Sequence, residues 1–528
     1  MSPAPAPHTT PARAKDSRRK PLAQLHAEAQ ALDLKRTLTL RQLLLLGIGT
    51  VVGAGIYVMT GTAAANFAGP SVLLAFLVAA LACVFTALCY GELAALFPVA
   101  GSTYSYAYVT MSERTAWWVG WLSLLEFAIS CTAVAAGLSG YANALLGTFH
   151  LKLPGFLTHP TLMTVPGSGG QAMTAGWRFD LLGLGSIMVV TLVLMKGIHE
   201  SSRLNDVIVL LKVGAILLFV GVGAFWVDMS NFHPFIPASK GDFQFGWGGV
   251  FRAASVLFFA YTGFEAVSTA AAEARNPTRD VPWAIVGTLF VCMLIFMAVA
   301  AVLIGVVPYQ ALNVPDPLAV ATHAMNKPWL GLLVSGAATI GLFTGLFGLL
   351  YAQSRILMVM AQDGLLPPVF ARLNKRFHTP LLGTLIIGVG VALLTAVLPI
   401  DVIGDLVSIG IALGYAQVCL NVIWCRNTMP ERERPFKVPL GGVTIKGIWL
   451  GTVPVLGILF CLLMMVPLLA NMLEALGKGN AIPFALTALY VGSGWALYHF
   501  YGRHHSTMHP DRRNVNFQEG EGAPSHGD

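Results

Sequence analysis

The chain is a succession of apolar runs, each about 20 residues long, recurring from Leu43 to Tyr501. A helix rising about 1.5 Å per residue needs roughly that length to cross a hydrocarbon layer about 30 Å thick. The pattern predicts twelve spans, at roughly 40–67, 70–97, 115–145, 178–196, 204–227, 248–272, 283–307, 329–361, 380–399, 402–425, 448–470 and 480–501. No connecting segment exceeds roughly thirty residues, which excludes a large water-soluble domain. The expected class is an all-α polytopic membrane protein.

Two of these runs are interrupted by glycine. The first reads Gly47-Ile48-Gly49-Thr50-Val51-Val52-Gly53-Ala54-Gly55-Ile56-Tyr57. The second reads Phe258-Phe259-Ala260-Tyr261-Thr262-Gly263-Phe264-Glu265, with a carboxylate just after the break. Glycine costs a helix about 1 kcal/mol against alanine. Lipid cannot satisfy the backbone groups that a break releases. Paired interruptions in corresponding positions mark the binding site of secondary transporters.

Composition supports the membrane reading: 55% of residues are hydrophobic and 11% charged, against about 25% charged in soluble domains. The net charge of +7 invites a nucleic-acid reading, but its distribution argues against one. With twelve spans both termini share a side. That side carries twenty-four of the 32 Lys and Arg residues, the other carries six, and Lys212 and Arg355 lie within spans. The positive-inside bias places both termini in the cytoplasm. The seven cysteines fall within spans without zinc or disulfide spacing and read as packing residues.

The expected layout has five parts. Residues 1–37 form a cytoplasmic tail, disordered at first, with a possible amphipathic helix at 22–35. Residues 38–227 and 228–427 form two five-span units, 428–502 hold spans 11 and 12, and 503–528 form a second polar tail. Five is odd, so the second unit enters from the opposite side and the pair forms an inverted repeat. The competing reading is twelve unrelated helices with glycine at packing contacts.

The two breaks have complementary chemistry. A half-helix N-terminus carries partial positive charge and suits a carboxylate. Carbonyls released at the other break suit an ammonium. Together they match the two ends of an α-amino acid. The expected substrate-binding set is Val51, Gly53, Ala54 and Gly55 at the first break and Phe259, Ala260 and Thr262 at the second. Tyr57, Phe259, Tyr261 and Phe264 are candidates for pocket walls.

Ionisable residues inside spans are functional candidates, because burial disfavours their charged forms. Glu126, Lys212 and Glu265 are the candidates for proton coupling, each weighed against a satisfied structural ion. Arg252 is expected to snorkel to the outer surface, and Arg355 to be structural. Glu92 with Tyr90, and Glu273 with Arg275, are candidate gate contacts or simple solvated caps at cytoplasmic helix ends.

These residues resemble the amino acid–polyamine–organocation (APC) superfamily, within it the bacterial relatives of the cationic amino acid transporters. The resemblance runs through the ten-span core into span 12. Its pieces are Gly47 to Tyr57, Tyr90-Gly-Glu-Leu-Ala, Pro98-Val-Ala-Gly-Ser-Thr-Tyr-Ser-Tyr, Phe259 to Thr269, Arg275-Asn-Pro-Thr-Arg-Asp-Val-Pro, Gln353-Ser-Arg and Asp363-Gly-Leu-Leu-Pro. It implies a LeuT-type 5+5 inverted repeat plus two helices, with substrate at the broken spans 1 and 6. It also implies that Lys212 stands where sodium-driven relatives bind sodium, making transport proton-coupled. Ala54 departs from the Ser or Thr of many relatives, and Glu265 from the commoner Asp.

The expectation is a proton-coupled importer of α-amino acids in the cell membrane, working by alternating access, with broad neutral selectivity and cationic substrates as the alternative. The rivals are an obligatory amino acid or polyamine exchanger and a non-transporting amino acid receptor. His-Glu-x-x-His, P-loop and Gly-x-Ser-x-Gly motifs are absent, so no enzyme is expected. Nor is any cofactor beyond the proton, any metal, or nucleic acid. Membrane lipid and substrate are the expected partners, with oligomeric state left open.

Overall fold

A computed structural model of the chain describes residues 18–21, 38–97, 102–151, 153–164, 173–196, 202–241, 243–374, 379–397, 400–477 and 480–508. The expected surface helix at 22–35 lies outside them. Among the described residues, eight helices are long and apolar enough to cross a membrane, and the chain is a multi-pass membrane protein. Leu40–Val51, Leu181–Met195 and Leu381–Val397 are shorter apolar helices.

The principal helices are α1 (Leu40–Val51), α2 (Val72–Leu96), α3 (Ser102–Thr110), α4 (Glu113–Thr148), α5 (Leu181–Met195), α6 (Ser202–Gly223) and α7 (Gly246–Leu257). They continue with α8 (Pro277–Val306), α9 (Pro317–Ala324), α10 (Pro328–Gln362), α11 (Leu381–Val397), α12 (Ile400–Thr428), α13 (Thr452–Gly477) and α14 (Ile482–Leu497). Thr39 and Gln42 form a capping box that starts α1, and the Asp180 carboxylate caps α5 through the Gly183 amide at 2.9 Å. The long helices α4 and α10 pack along each other, pinned by a bond from Gln353 Nε2 to the Leu124 carbonyl at 3.0 Å.

Both glycine-bearing runs are discontinuous. The first leaves α-helical geometry at Val52 and resumes as a π-helical turn over Gly55–Met59. The second tightens into a 3₁₀ turn over Phe258–Tyr261, extends at Thr262 and turns at Gly263 with φ +110°. Only glycine adopts that φ readily.

The fold is mostly helical, with two short antiparallel hairpins between helices: β1 (Leu162–Thr164) pairs with β2 (Met173–Ala175), and β3 (Gly442–Ile445) with β4 (Ile448–Gly451). Two expectations need correction. The second hairpin occupies the expected start of span 11, because Lys446 and Gly447 both take positive φ and close a two-residue turn. Arg252 does not snorkel. It is 2% exposed and lies over the Phe67 ring at 5.0 Å, where the ring face offers the cation a partner.

Parts of both tails are docked rather than free. Lys20 pairs with Asp363 at 2.9 Å, and Tyr104 donates to the other Asp363 oxygen at 2.7 Å. Glu113 receives Arg18 at 3.5 Å and the Ser506 hydroxyl. Two buried carboxylates thus hold Arg18, Lys20 and Ser506 against α3, α4 and the end of α10, since a buried charge needs paired and hydrogen-bonded company.

Candidate functional site

The structure brings the two breaks into contact. The Thr50 hydroxyl donates to the Gly263 carbonyl at 2.8 Å. A Cβ placed on Gly55 would sit 2.3 Å from Ala260 Cα, and one on Gly263 would sit 2.9 Å from the Thr50 carbonyl carbon. Backbone therefore meets backbone at both points, and glycine is required for the approach. Val51, Ala54, Phe259 and Ala260 are buried, and Gly53 and Thr262 are partly buried.

At the first break, the amides of Gly53, Ala54 and Gly55 precede the first bonds of the helical segment that follows. Those bonds run from the Ile56 and Tyr57 amides to the Gly53 carbonyl, each at 3.2 Å. The arrangement suits an anion, because leading amides of a helical segment carry partial positive charge.

At the second break the expectation holds less evenly. The Phe259 carbonyl already accepts the Thr262 amide at 3.1 Å and the Thr262 hydroxyl at 2.7 Å. The 3₁₀ turn consumes the acceptor that an open break would have left available. The Ala260 carbonyl faces the first break, 3.0 Å from the position of a Gly55 Cβ.

Lys212, on α6, is 1% exposed. Its ammonium donates to the Gly49 carbonyl and to the Val52 carbonyl at 2.9 Å. Both belong to the C-terminal end of α1, where carbonyls lack helical partners and the helix end is partially negative. Gly341 of α10 packs against the lysine stem, so that a Cβ there would lie 3.0 Å from Lys212 Cδ. One cation therefore touches elements from α1, α6 and α10.

Glu265 turns back into its own break. Its Oε2 accepts the Gly263 amide at 2.9 Å and the Tyr415 hydroxyl of α12 at 3.0 Å. Tyr415 packs edge-on against Tyr90, 5.9 Å between ring centroids, and against Phe264 at 5.3 Å. Glu126, on α4, is buried, and Lys212 donates to the α1 carbonyls.

The pocket-wall aromatics divide. Tyr57 is buried edge-on to Tyr141 at 5.5 Å. Tyr141 donates to the Tyr57 carbonyl at 2.7 Å and accepts the Leu318 amide at 3.3 Å. The segment after the first break is thereby tied to α9. Tyr261 bonds the Phe76 carbonyl at 3.1 Å and serves helix packing.

Glu92 is more than a solvated cap. Arg426 grips it through two bonds at 2.9 and 2.5 Å, Arg434 lies at 3.5 Å, and the Val438 amide donates at 2.8 Å. Arg355 lies over the Tyr351 ring at 4.9 Å. The sequence reading missed Thr50, Tyr141, Gly341 and Tyr415. Thr50 sits inside the first glycine motif and was open to notice, while the others depend on partners far along the chain.

Residues 38–492 match the family model described as amino acid permease. The methylthioribose transporter of Bacillus subtilis (strain 168) is 37% identical over 491 residues, covering 93% of this chain and 98% of that protein. The branched-chain amino acid permease BcaP of the same organism is 36% identical, covering 90% and 95%. The vacuolar cationic amino acid transporter 2 of Arabidopsis thaliana is 34% identical, covering 79% and 64%. These are transporters, not enzymes. With two discontinuous helices meeting at glycine contacts and a family match over most of its length, the chain belongs to the amino acid permease family of the APC superfamily.

Proposed function

We propose that this protein imports α-amino acids across the cell membrane by proton-coupled symport and alternating access. In this reading the substrate carboxylate lies on the amides of Gly53, Ala54 and Gly55, with Val51 beside them. The ammonium lies on the carbonyls of Ala260 and Thr262, with Phe259 lining the site. The observation that carries the coupling is the Lys212 ammonium on the Gly49 and Val52 carbonyls. A protonated lysine there holds α6 to the end of α1 as a bound metal cation would. Releasing its proton towards the cytoplasm would weaken that bond and favour inward opening. Glu126 and Glu265 form a second protonatable place beside the second break.

The reading includes twelve spans in a LeuT-type 5+5 inverted repeat with two further helices, and both termini in the cytoplasm. It is supported by the Lys and Arg bias and by two interrupted helices 210 residues apart, Gly53 to Gly263. The names of relatives include branched-chain and cationic amino acid transporters, which supports an amino acid substrate. Coupling to a proton needs no cofactor or metal.

The test is uptake of radiolabelled amino acids into proteoliposomes under an inward proton gradient, with methylthioribose as a competitor. Uptake that follows the proton gradient is expected. Uptake driven by sodium and indifferent to protons would overturn the coupling. Silence without preloaded internal substrate would make the protein an exchanger, and substrate binding without flux a receptor. Competition by methylthioribose alone would remove the amino acid.

A further inference from the structure

The β3–β4 hairpin has two unlike faces. Its register pairs Val443 with Leu450 and Ile445 with Ile448, and pairs Thr444 with Trp449 and Gly442 with Gly451. Directly opposed residues share a face of a sheet, and neighbours along a strand alternate. One face is therefore Val443, Ile445, Ile448 and Leu450, entirely aliphatic. The other holds Thr444, Trp449 and two glycines.

The Trp449 face is turned to the protein. Asn427, near the end of α12, accepts the Trp449 amide at 2.7 Å and donates to its carbonyl at 3.0 Å. The Arg426 guanidinium lies over the Trp449 ring at 4.2 Å. Asn427 thus caps the outer edge of β4, and the ring fixes which way the hairpin faces. The aliphatic side points away from α12: Val443 is 65%, Ile445 53% and Ile448 54% exposed.

What covers that face follows from two further facts. β4 runs directly into α13, a helix long and apolar enough to cross a membrane. The hairpin thus ends where a candidate spanning helix starts. Residues 437–451 carry Lys437 and Lys446 and no acidic residue, and both lysines are exposed. Lys446 occupies the tip of the turn. An aliphatic face with a cationic tip, held at the end of a spanning helix, has the chemistry of an interfacial anchor for anionic lipid.

We propose that this hairpin is a membrane-interface anchor. Val443, Ile445, Ile448 and Leu450 insert among the acyl chains of the cytoplasmic leaflet, and Lys446 and Lys437 hold anionic headgroups. The leaflet rests on the orientation in Proposed function; the insertion itself does not.

The test uses the full chain in phosphatidylcholine vesicles with or without phosphatidylglycerol. All seven native cysteines are buried, so Val443→Cys and Thr444→Cys each take a fluorescent label at one surface position. Lipids carrying a shallow nitroxide should quench the Val443 label several-fold more than the Thr444 label, and iodide should do the reverse. Phosphatidylglycerol should deepen the difference, and adding Lys446→Glu to the Val443→Cys protein should remove that gain. Equal iodide access at both positions would overturn the proposal. So would protection of Val443 that rises with protein density and ignores the lipid-borne quencher, because a second copy would then cover the face. A membrane-impermeant maleimide on Lys446→Cys tests the leaflet separately. Labelling from the outside of intact cells would overturn the orientation while leaving the quenching result to decide insertion.

Discussion

Lys212 donates to the Val52 carbonyl at 2.9 Å, across 160 residues of sequence, at the point where the first broken helix stops. The contact joins a buried lysine of α6 to the backbone that the glycine break exposes. It sets a buried ammonium on the carbonyls at the end of α1.

Removing that charge should separate coupling from folding. In Lys212→Met the stem still packs against Gly341, but the α1 carbonyls lose their cation. Hydrogen bonds to a charged group contribute about 1.5–3 kcal/mol, so a modest fall in melting temperature is expected. Gradient-driven uptake should fall by at least about tenfold, the effect of about 1.4 kcal/mol. Wild-type uptake in the purified, reconstituted variant would remove Lys212 from the mechanism.

The meeting of the two breaks leaves no room at Gly55. A methyl group there would lie 2.3 Å from Ala260 Cα, and backbone cannot yield as a flexible side chain does. Gly55→Ala should destabilise by about 1–3 kcal/mol and weaken substrate-dependent thermal stabilisation. Unchanged stabilisation by substrate would show that this approach is not part of the site.

Tyr415 supplies the hydroxyl that Glu265 accepts at 3.0 Å. Tyr415→Phe keeps the ring against Tyr90 and Phe264 but leaves the carboxylate with one donor fewer. Hydrogen bonds to a charged group contribute about 1.5–3 kcal/mol, so losing this one should lower gradient-driven uptake by at least about tenfold, the effect of about 1.4 kcal/mol. Wild-type uptake in the reconstituted variant would remove this contact from the mechanism.

Glu92 joins α2 to the end of α12 and the segment after it through Arg426, Arg434 and the Val438 amide. Deleting one member of a buried ion pair strands the other charge, at about 3–5 kcal/mol. Glu92→Ala should show that loss in thermal unfolding. Its replacement by Gln, which keeps the shape and an acceptor, should lose less. Equal and small effects of both would make the cluster a solvated cap after all.

Apolar periodicity, glycine placement and charge sidedness determined the membrane class, the approximate helix positions and the two breaks. These are local properties: run length sets what can cross a bilayer, and glycine marks where a helix can open. The three buried ionisable residues were legible for the same reason, since a charge in an apolar run stands out without any partner being known. Tertiary structure decided what those groups do to one another. Lys212 found carbonyls 160 residues away, Glu265 found Tyr415, and Phe259 spent its carbonyl on a neighbouring threonine. Each of those outcomes depends on three-dimensional proximity and on which polar groups compete for a partner, and linear spacing carries neither.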